Sequence, residues 1–334
     1  MRVLVTGGAG YIGSHFVRVL LQNNHVPVVV DDLSSGHRSA LPADVDIREG
    51  SIEDAAFVHD TIVDYDIDAV AHFAARIQVA ESVRDPARYY EGNIGAAMTL
   101  LEGMMSAGVR TIVATSSAAV YGERKAVIGS DRVTFPPCDE RDDVLPDNPY
   151  GDTKLAVERM LAAYGRAYGL RHASMRCFNV AGAHHGLAER HAPETHLIPL
   201  VLAAAASEEG RFTVYGDDYP TLDGTAVRDY VDVHDVAHGH LSALVHLMEG
   251  GEGGVFNLGS GVGYSVREVV GACRRVAGRP IRVDVGPRRP GDSPVLVAGT
   301  QRAKDKLGWY PYHSQLDEVV RRTWESRGLG GRGD

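Results

Sequence analysis

The chain has 334 residues, 44% hydrophobic and 23% charged, which suits about two domains and excludes disorder, collagen and coiled coil. Its formal charge of −10 disfavours nucleic acid and anionic membrane surfaces as partners, so a phosphate ligand must be held by local geometry. The longest apolar run, residues 197–206, is interrupted by Pro199 and falls well short of the ~20 residues of a membrane span.

Residues 3–5 read as a short buried strand and residues 12–22 as a helix. Residues 26–30 form a β-branched strand, irregular at Pro27. Helices follow at 55–64 and 86–107, and strands at 67–73 and 111–115. A long helix over 150–168 stops at Gly169, and a strand follows at 174–179. This alternation predicts a Rossmann-type α/β fold, a doubly wound parallel sheet with both faces covered. After residue 180 the elements shorten (197–207, 212–215, 234–247, 265–276) between Gly, Pro and Asp clusters. They predict a smaller mixed α/β region, ended by a frayed Gly-rich tail at 327–334.

Cys138, Cys177 and Cys273 are odd in number and widely spaced, as expected of reduced thiols in a cytoplasmic protein. Met1-Arg2 precedes too short an apolar stretch for a secretory leader. The imidazoles of His184, His185, His191 and His196 are densest, and read as solvated loop residues, so no metal is expected.

The first strand runs into Gly7-Gly8-Ala9-Gly10-Tyr11-Ile12-Gly13 and then a helix. Glycines at 7, 10 and 13 permit the tight turn, the approach of a pyrophosphate, and helix-on-strand packing. The amides at the helix start then answer the charge objection. Asp31 ends the second strand, 18 residues beyond Gly13, where a carboxylate accepts from both ribose hydroxyls and repels a 2′-phosphate. NAD rather than NADP is the cofactor expected.

Asn148-Pro149-Tyr150-Gly151-Asp152-Thr153-Lys154 places Tyr150 and Lys154 four apart on one helical face. A phenol is a poor base at neutral pH, and an adjacent ammonium brings its pKa toward working pH. Only four of the 34 basic residues are lysine, so chance gives about 0.17 such pairs among fourteen tyrosines. The strand at 111–115 delivers Ser116-Ser117 to the sheet's carboxyl edge, where ligands bind. Either serine could cap a turn. Ser117 is assigned to the substrate hydroxyl.

These residues resemble the extended short-chain dehydrogenase/reductase superfamily, and within it the enzymes that epimerise UDP-sugars at carbon 4. The likeness runs from Met1 to about Trp324. It includes His72-Phe73-Ala74-Ala75, Glu81-Ser82-Val83, Arg176-Cys177-Phe178-Asn179, Thr195-His196-Leu197, Val227-Arg228-Asp229-Tyr230-Val231, Asn257-Leu258-Gly259 and Arg288-Arg289-Pro290-Gly291-Asp292. It implies interconversion of UDP-glucose and UDP-galactose through a 4-keto sugar, with Tyr150, Lys154 and Ser117 as the catalytic group. By the same resemblance NAD lies on Gly7, Gly10, Tyr11, Ile12, Gly13, Asp31, Ile52, Phe73, Ala74, Ala75, Tyr150, Lys154 and Phe178. The UDP-sugar lies on Ser117, Tyr150, Asn179, His196, Leu197, Tyr215, Arg228, Arg289 and Asp292. Residues 1–180 become the NAD-binding domain, 181–326 mainly the UDP-sugar-binding domain. A homodimer is implied through the helices at 86–107 and 150–168.

Ala118-Ala119 stand where related dehydratases carry an Asp-Glu pair and decarboxylating relatives a Glu, which disfavours both reactions. A 4-epimerase of another UDP-sugar (an N-acetylhexosamine, glucuronate or pentose) and a net NAD-dependent dehydrogenase or reductase stay open. Ser51 and Gly92 replace an Asp and an Asn frequent in the family, which points to a weaker grip on NAD. Cys177 replaces a larger residue, residues 123–148 form a long segment placed to cover the sugar pocket, and Leu296 leaves N-acetylated sugars undecided.

Overall fold

The computed structural model describes residues 1–124, 127–128, 133–190, 193–289 and 292–328, without side-chain detail at 127–128 and 133–134. In chain order the first half comprises β1 (Arg2–Thr6), α1 (Tyr11–Gln22), β2 (Val26–Asp31), β3 (Asp46–Glu49), α2 (Ala55–Asp64), β4 (Ala69–His72), α3 (Val79–Arg84), α4 (Pro86–Tyr89), α5 (Ala96–Ser106), β5 (Thr111–Ser117), the hairpin β6 (Val127–Ile128) and β7 (Val133–Thr134), α6 (Pro149–Tyr168) and β8 (Arg171–Cys177). Then come β9 (Asn179–Ala181), α7 (Leu197–Ala206), β10 (Arg211–Tyr215), β11 (Val227–Asp232), α8 (Val233–Met248), β12 (Gly254–Leu258), β13 (Gly263–Ser265), α9 (Val266–Ala277), β14 (Arg282–Gly286), β15 (Val295–Leu296), α10 (Gln301–Leu307) and α11 (Leu316–Ser326).

Seven strands form one parallel sheet in the order β12-β8-β5-β4-β1-β2-β3. Apolar residues cover both faces, as a parallel sheet requires. On one face Phe16, Val17 and Leu20 of α1 pack with Val236, Leu241 and Leu244 of α8. On the other, Val58 and Ile62 of α2 join Leu100 and Met104 of α5 and Val157 and Leu161 of α6. The strand order reverses between β1 and β4, which opens a crevice at the carboxyl ends of the strands.

Three departures from the sequence expectations have physical causes. The helix expected over 86–107 is α4 and α5 joined by a π turn at Tyr90–Gly95, with α3 before it. That wide turn brackets the buried Asn93, whose amide accepts from Arg76 N, donates to Arg76 O and donates to Thr153 Oγ1. The polar edge strand β3 carries no apolar alternation to betray it. Finally, α8 and β12 lie beyond residue 180 yet complete the first sheet and its cover, so the expected boundary there is crossed. The second region is built around a separate core of Ile198 and Leu202 (α7), Val269 and Val270 (α9), and Val319 and Trp324 (α11). The tail expected to fray from residue 327 is anchored at its start, because Arg327 donates to Glu194 and to Pro199 O. Residues 329–334 lie outside the described part.

Candidate active site

The turn after β1 tolerates no side chain. Gly7 has φ +69°, and a Cβ there would sit 2.5 Å from Ala74 N; one on Gly13 would sit 2.2 Å from Gly7 O. Backbone thus packs on backbone, and the loop after β4 is pressed across the start of α1. No side chain caps α1 and its first turn holds no acid, so its amides are left for an anion. Asp31 at the end of β2 is buried, and its carboxylate accepts from Ala9 N and Leu33 N, both at 2.9 Å. Burial raises its pKa while those two amides oppose the rise. A carboxylate offers about four lone-pair sites, so capacity for ribose hydroxyls is left.

A cavity of ≈ 970 Å³ runs along this edge of the sheet, and every residue assigned above to NAD lines it, from Gly7 to Phe178. The residues fit a dinucleotide: glycine-walled amides for the diphosphate, a carboxylate for the ribose, and Ile52, Phe73 and Ala74 as apolar walls. Ser51 and Gly92 line it too, as does Leu296. Of the 123–148 segment, Asp147 and Asn148 reach the lining, and Leu145 is exposed.

At the centre stands the trio Tyr150, Lys154 and Ser117. Asn148 caps α6 by accepting from Gly151 N at 2.9 Å, and Pro149 opens the helix. Gly151 lets α6 close onto the end of β5, because a Cβ there would lie 2.7 Å from Ala119 O. Tyr150 is thereby brought near Ser117, which acts to lower the phenol's pKa. Ser117 also accepts from Ala119 N at 3.1 Å, so its turn-capping and substrate-facing roles coexist. Lys154 is buried, donates to Thr115 O at 2.9 Å, and holds its ammonium 5.9 Å from the centre of the Tyr150 ring.

Burial changes the expected electrostatics. It pushes the Tyr150 phenol up to about 12, with the Ser117 hydrogen bond opposing, and pulls Lys154 down to about 8. Desolvation dominates at the phenol, and the lowering expected from Lys154 is not among the effects that oppose it. Two groups near the trio escaped sequence reasoning. Glu158, one turn beyond Lys154, makes a buried pair with Arg176 at 2.7 Å and accepts from Ser116, which ties α6 to β5 and β8. Its spacing of four from Lys154 was the available signal. Thr115 acts through its carbonyl, which no side-chain pattern reveals.

A second cavity of ≈ 220 Å³ adjoins the first, and Asn179, His196, Arg228 and Asp292 line both. Leu197, Tyr215 and Arg289 line the smaller one, so the residues assigned to the UDP-sugar come together. Their internal contacts differ from expectation. Arg228 is braced by Asp292 at 3.2 Å and by Ser293 O at 2.7 Å, which makes Asp292 its holder as well as a lining group. Arg289 lies 4.2 Å from the centre of the Tyr215 ring, so one ring face is covered by a cation. His196 pairs with Glu194 at 2.9 Å.

Of the histidines expected to be solvated loop residues, His185 is exposed in a turn, whereas His184 is partly buried. His184 stacks on His234 with ring centres 4.7 Å apart and lies 2.8 Å from the buried Asp232. His191 lies outside the described residues. Among the described residues, no group of three or more His, Cys, Asp or Glu is arranged to hold a metal.

Comparison with known proteins agrees with this geometry. The family model described as NAD dependent epimerase/dehydratase family matches residues 3–259. The chain is 44% identical over 326 residues to UDP-glucose 4-epimerase of Halalkalibacterium halodurans, covering 97% of this chain and 95% of that protein. It is 45% identical over 325 residues to UDP-glucose 4-epimerase of Streptomyces lividans, with coverages of 97% and 95%. The crystal structure of UDP-glucose 4-epimerase from Brucella ovis in complex with NAD superposes with a TM-score of 0.91 at 44% identity, over 98% of each chain. The chain belongs to the NAD dependent epimerase/dehydratase family.

Proposed function

We propose that this protein interconverts UDP-glucose and UDP-galactose with NAD as a resident cofactor. One observation carries the reading: the trio Ser117, Tyr150 and Lys154 lines a dinucleotide cavity that shares Asn179, His196, Arg228 and Asp292 with a second cavity lined also by Arg289. The named relatives and the NAD-bound structure support it.

Held on the α1 amides and Asp31, NAD would supply a reversible hydride acceptor for the sugar's fourth carbon. Tyr150 holds the proton of the 4-hydroxyl, and Ser117 carries the hydrogen bond that keeps that hydroxyl aligned with the phenol. A phenol near 12 is scarcely ionised at neutral pH, so little phenolate is present to act as the base. Positive charge that would favour phenolate is available from the Lys154 ammonium, 5.9 Å from the Tyr150 ring, and would be supplied as well by a bound oxidised nicotinamide. Arg228, fixed by Asp292 and Ser293, gives charge-assisted bonds to the substrate's diphosphate and so supplies a pivot. Ala118-Ala119 follow Ser117, so those two positions offer no acid to expel a hydroxyl. A 4-keto sugar gripped only at its diphosphate can turn and be reduced from the opposite face.

The test is incubation of purified protein with UDP-galactose and no added NAD. Catalytic formation of UDP-glucose without net NADH is expected. Stoichiometric NADH would point to a dehydrogenase, and no turnover even with NAD would overturn both enzymatic readings for this substrate. The protein acts in this reading as a cytoplasmic homodimer. Val83, Tyr90 and Met98, exposed on α3, the π turn and α5, supply apolar area for the contact, and a monomer by light scattering would refute it. Among the described residues, no helix is long and apolar enough to cross a membrane.

A further inference from the structure

Glu81-Ser82-Val83 lies on the short helix α3, between the β4 loop and α4. Val79, Glu81 and Arg84 of this helix line the dinucleotide cavity, whereas Ser82 is fully buried and lines neither cavity. Ser82 Oγ donates to Val79 O at 2.7 Å, within its own turn, and accepts from Tyr150 N at 3.2 Å. The first bond uses the only hydrogen of the hydroxyl, so a lone pair is what Ser82 presents to α6. Its platform is itself tied down. Tyr89 is fully buried, and its Oη accepts from Gln78 N at 2.9 Å and lies 2.8 Å from the Glu81 carboxylate, which Arg88 also pairs at 2.7 Å.

The first turn of a helix leaves its N–H groups without partners inside the helix, and Pro149 at the start of α6 has none to leave. Two remain ahead of Asp152 N, which bonds to Asn148 O at 3.0 Å. Asn148 accepts from Gly151 N and Ser82 accepts from Tyr150 N, so α6 has one cap of its own and one from 68 residues away. The carbonyl of the same tyrosine is held as well. Thr153 Oγ1 donates to Tyr150 O at 2.8 Å and accepts from Asn93 Nδ2 at 3.0 Å. Buried hydroxyls thus fix the backbone on both sides of the Tyr150 side chain. Without Ser82 the Tyr150 N–H would lack its acceptor, and the turn would tilt to find another. We infer that Ser82 is a positioning residue for the reaction: by capping Tyr150 N from α3 it fixes the first turn of α6, and with it the place of the phenol beside Ser117 and the substrate's 4-hydroxyl.

This inference rests on the proposed epimerisation. The test compares wild type with Ser82→Ala, which removes the acceptor, and Ser82→Thr, which keeps it. Turnover of UDP-galactose is expressed per NAD-loaded site, with NAD counted after denaturation and thermal melts verifying the fold. Ser82→Ala is expected to lose roughly ten-fold in kcat per loaded site with KM little changed, and Ser82→Thr to recover most of that loss. A purely structural role would lower the number of loaded sites or the melting temperature and leave the turnover of each loaded site intact. Wild-type kcat per loaded site in folded Ser82→Ala, whatever its KM, overturns the positioning role, and so does an equal loss in folded Ser82→Thr. Should Ser82→Ala fail to fold, Ser82→Cys, close in shape and a poorer acceptor, is read in its place; a smaller loss is expected, and no loss overturns the role. A wild type that does not turn over UDP-galactose contradicts the functional reading itself, which separates the two failures.

Discussion

The cofactor half and the sugar half of this cleft are built from different materials. The cofactor half is backbone: Gly7 and Gly13 press on the carbonyl and amide of neighbouring segments at distances that leave no room for a single carbon. The sugar half is side chain: Arg228 stands on Asp292, Arg289 lies on the half-exposed Tyr215, and His196 leans on Glu194. Backbone surfaces are rigid and indifferent to neighbouring substitutions, which suits a cofactor that stays through every cycle. Side-chain surfaces can be loosened one contact at a time, which suits a sugar that must turn. The trio marks the chemical seam, with Tyr150 and Lys154 on α6 and Ser117 ending β5, in the larger cavity that also reaches Arg228 and Asp292.

This contrast can be broken by mutation. The largest effect is expected at the seam, where Tyr150→Phe should lower kcat by about 10²–10⁴-fold while NAD stays bound; steady-state kinetics with a cofactor assay would check both halves of that statement. Gly13→Ala should abolish NAD retention and lower the melting temperature, since its Cβ would meet Gly7 O at 2.2 Å. An NAD-loaded, stable Gly13→Ala protein would mean that the cradle is not close-packed backbone. Arg228→Met should behave oppositely, with NAD content intact and KM for UDP-galactose raised about ten- to a hundred-fold, the worth of a charge-assisted contact. Tyr215→Ala should cost only a few-fold in KM, because that ring is 42% exposed.

Acid probes the cover of the sheet. Burial holds His15 at about 4, His72 at about 3 and His240 at about 4, below the ordinary imidazole value. The unfolded chain therefore binds more protons below about pH 6.5, and stability falls as pH drops toward the folded values. Melting by calorimetry should show a midpoint at least ~5 °C lower at pH 5 than at pH 7. A flat profile between those pH values would contradict the neutral burial of these rings.

The same contrast explains what could be read in the sequence. Glycines forced by close backbone approach, an acid ending β2 and a scarce lysine four after a tyrosine announce the cofactor half and the seam. The sugar half has no such grammar. Arg228 and Arg289 are two of thirty arginines, and only their resemblance to a known motif singled them out. Residues 233–258 lie past the expected boundary at 180 yet complete the first sheet and its cover, because nothing local tells a short strand such as Gly254–Leu258 which sheet to join; pairing with β8 decides it. The π turn was illegible for a similar reason, since the Asn93 contacts that accompany it reach Arg76 and Thr153, 17 and 60 residues away.

The central claim is that carbon 4 of the sugar is oxidised and re-reduced within one closed site. UDP-galactose deuterated at carbon 4, incubated with the enzyme and excess unlabelled NADH, tests it by mass spectrometry and NMR of the product. The account predicts UDP-glucose that keeps its deuterium at carbon 4. Loss of the label to water or to the added nucleotide would contradict it.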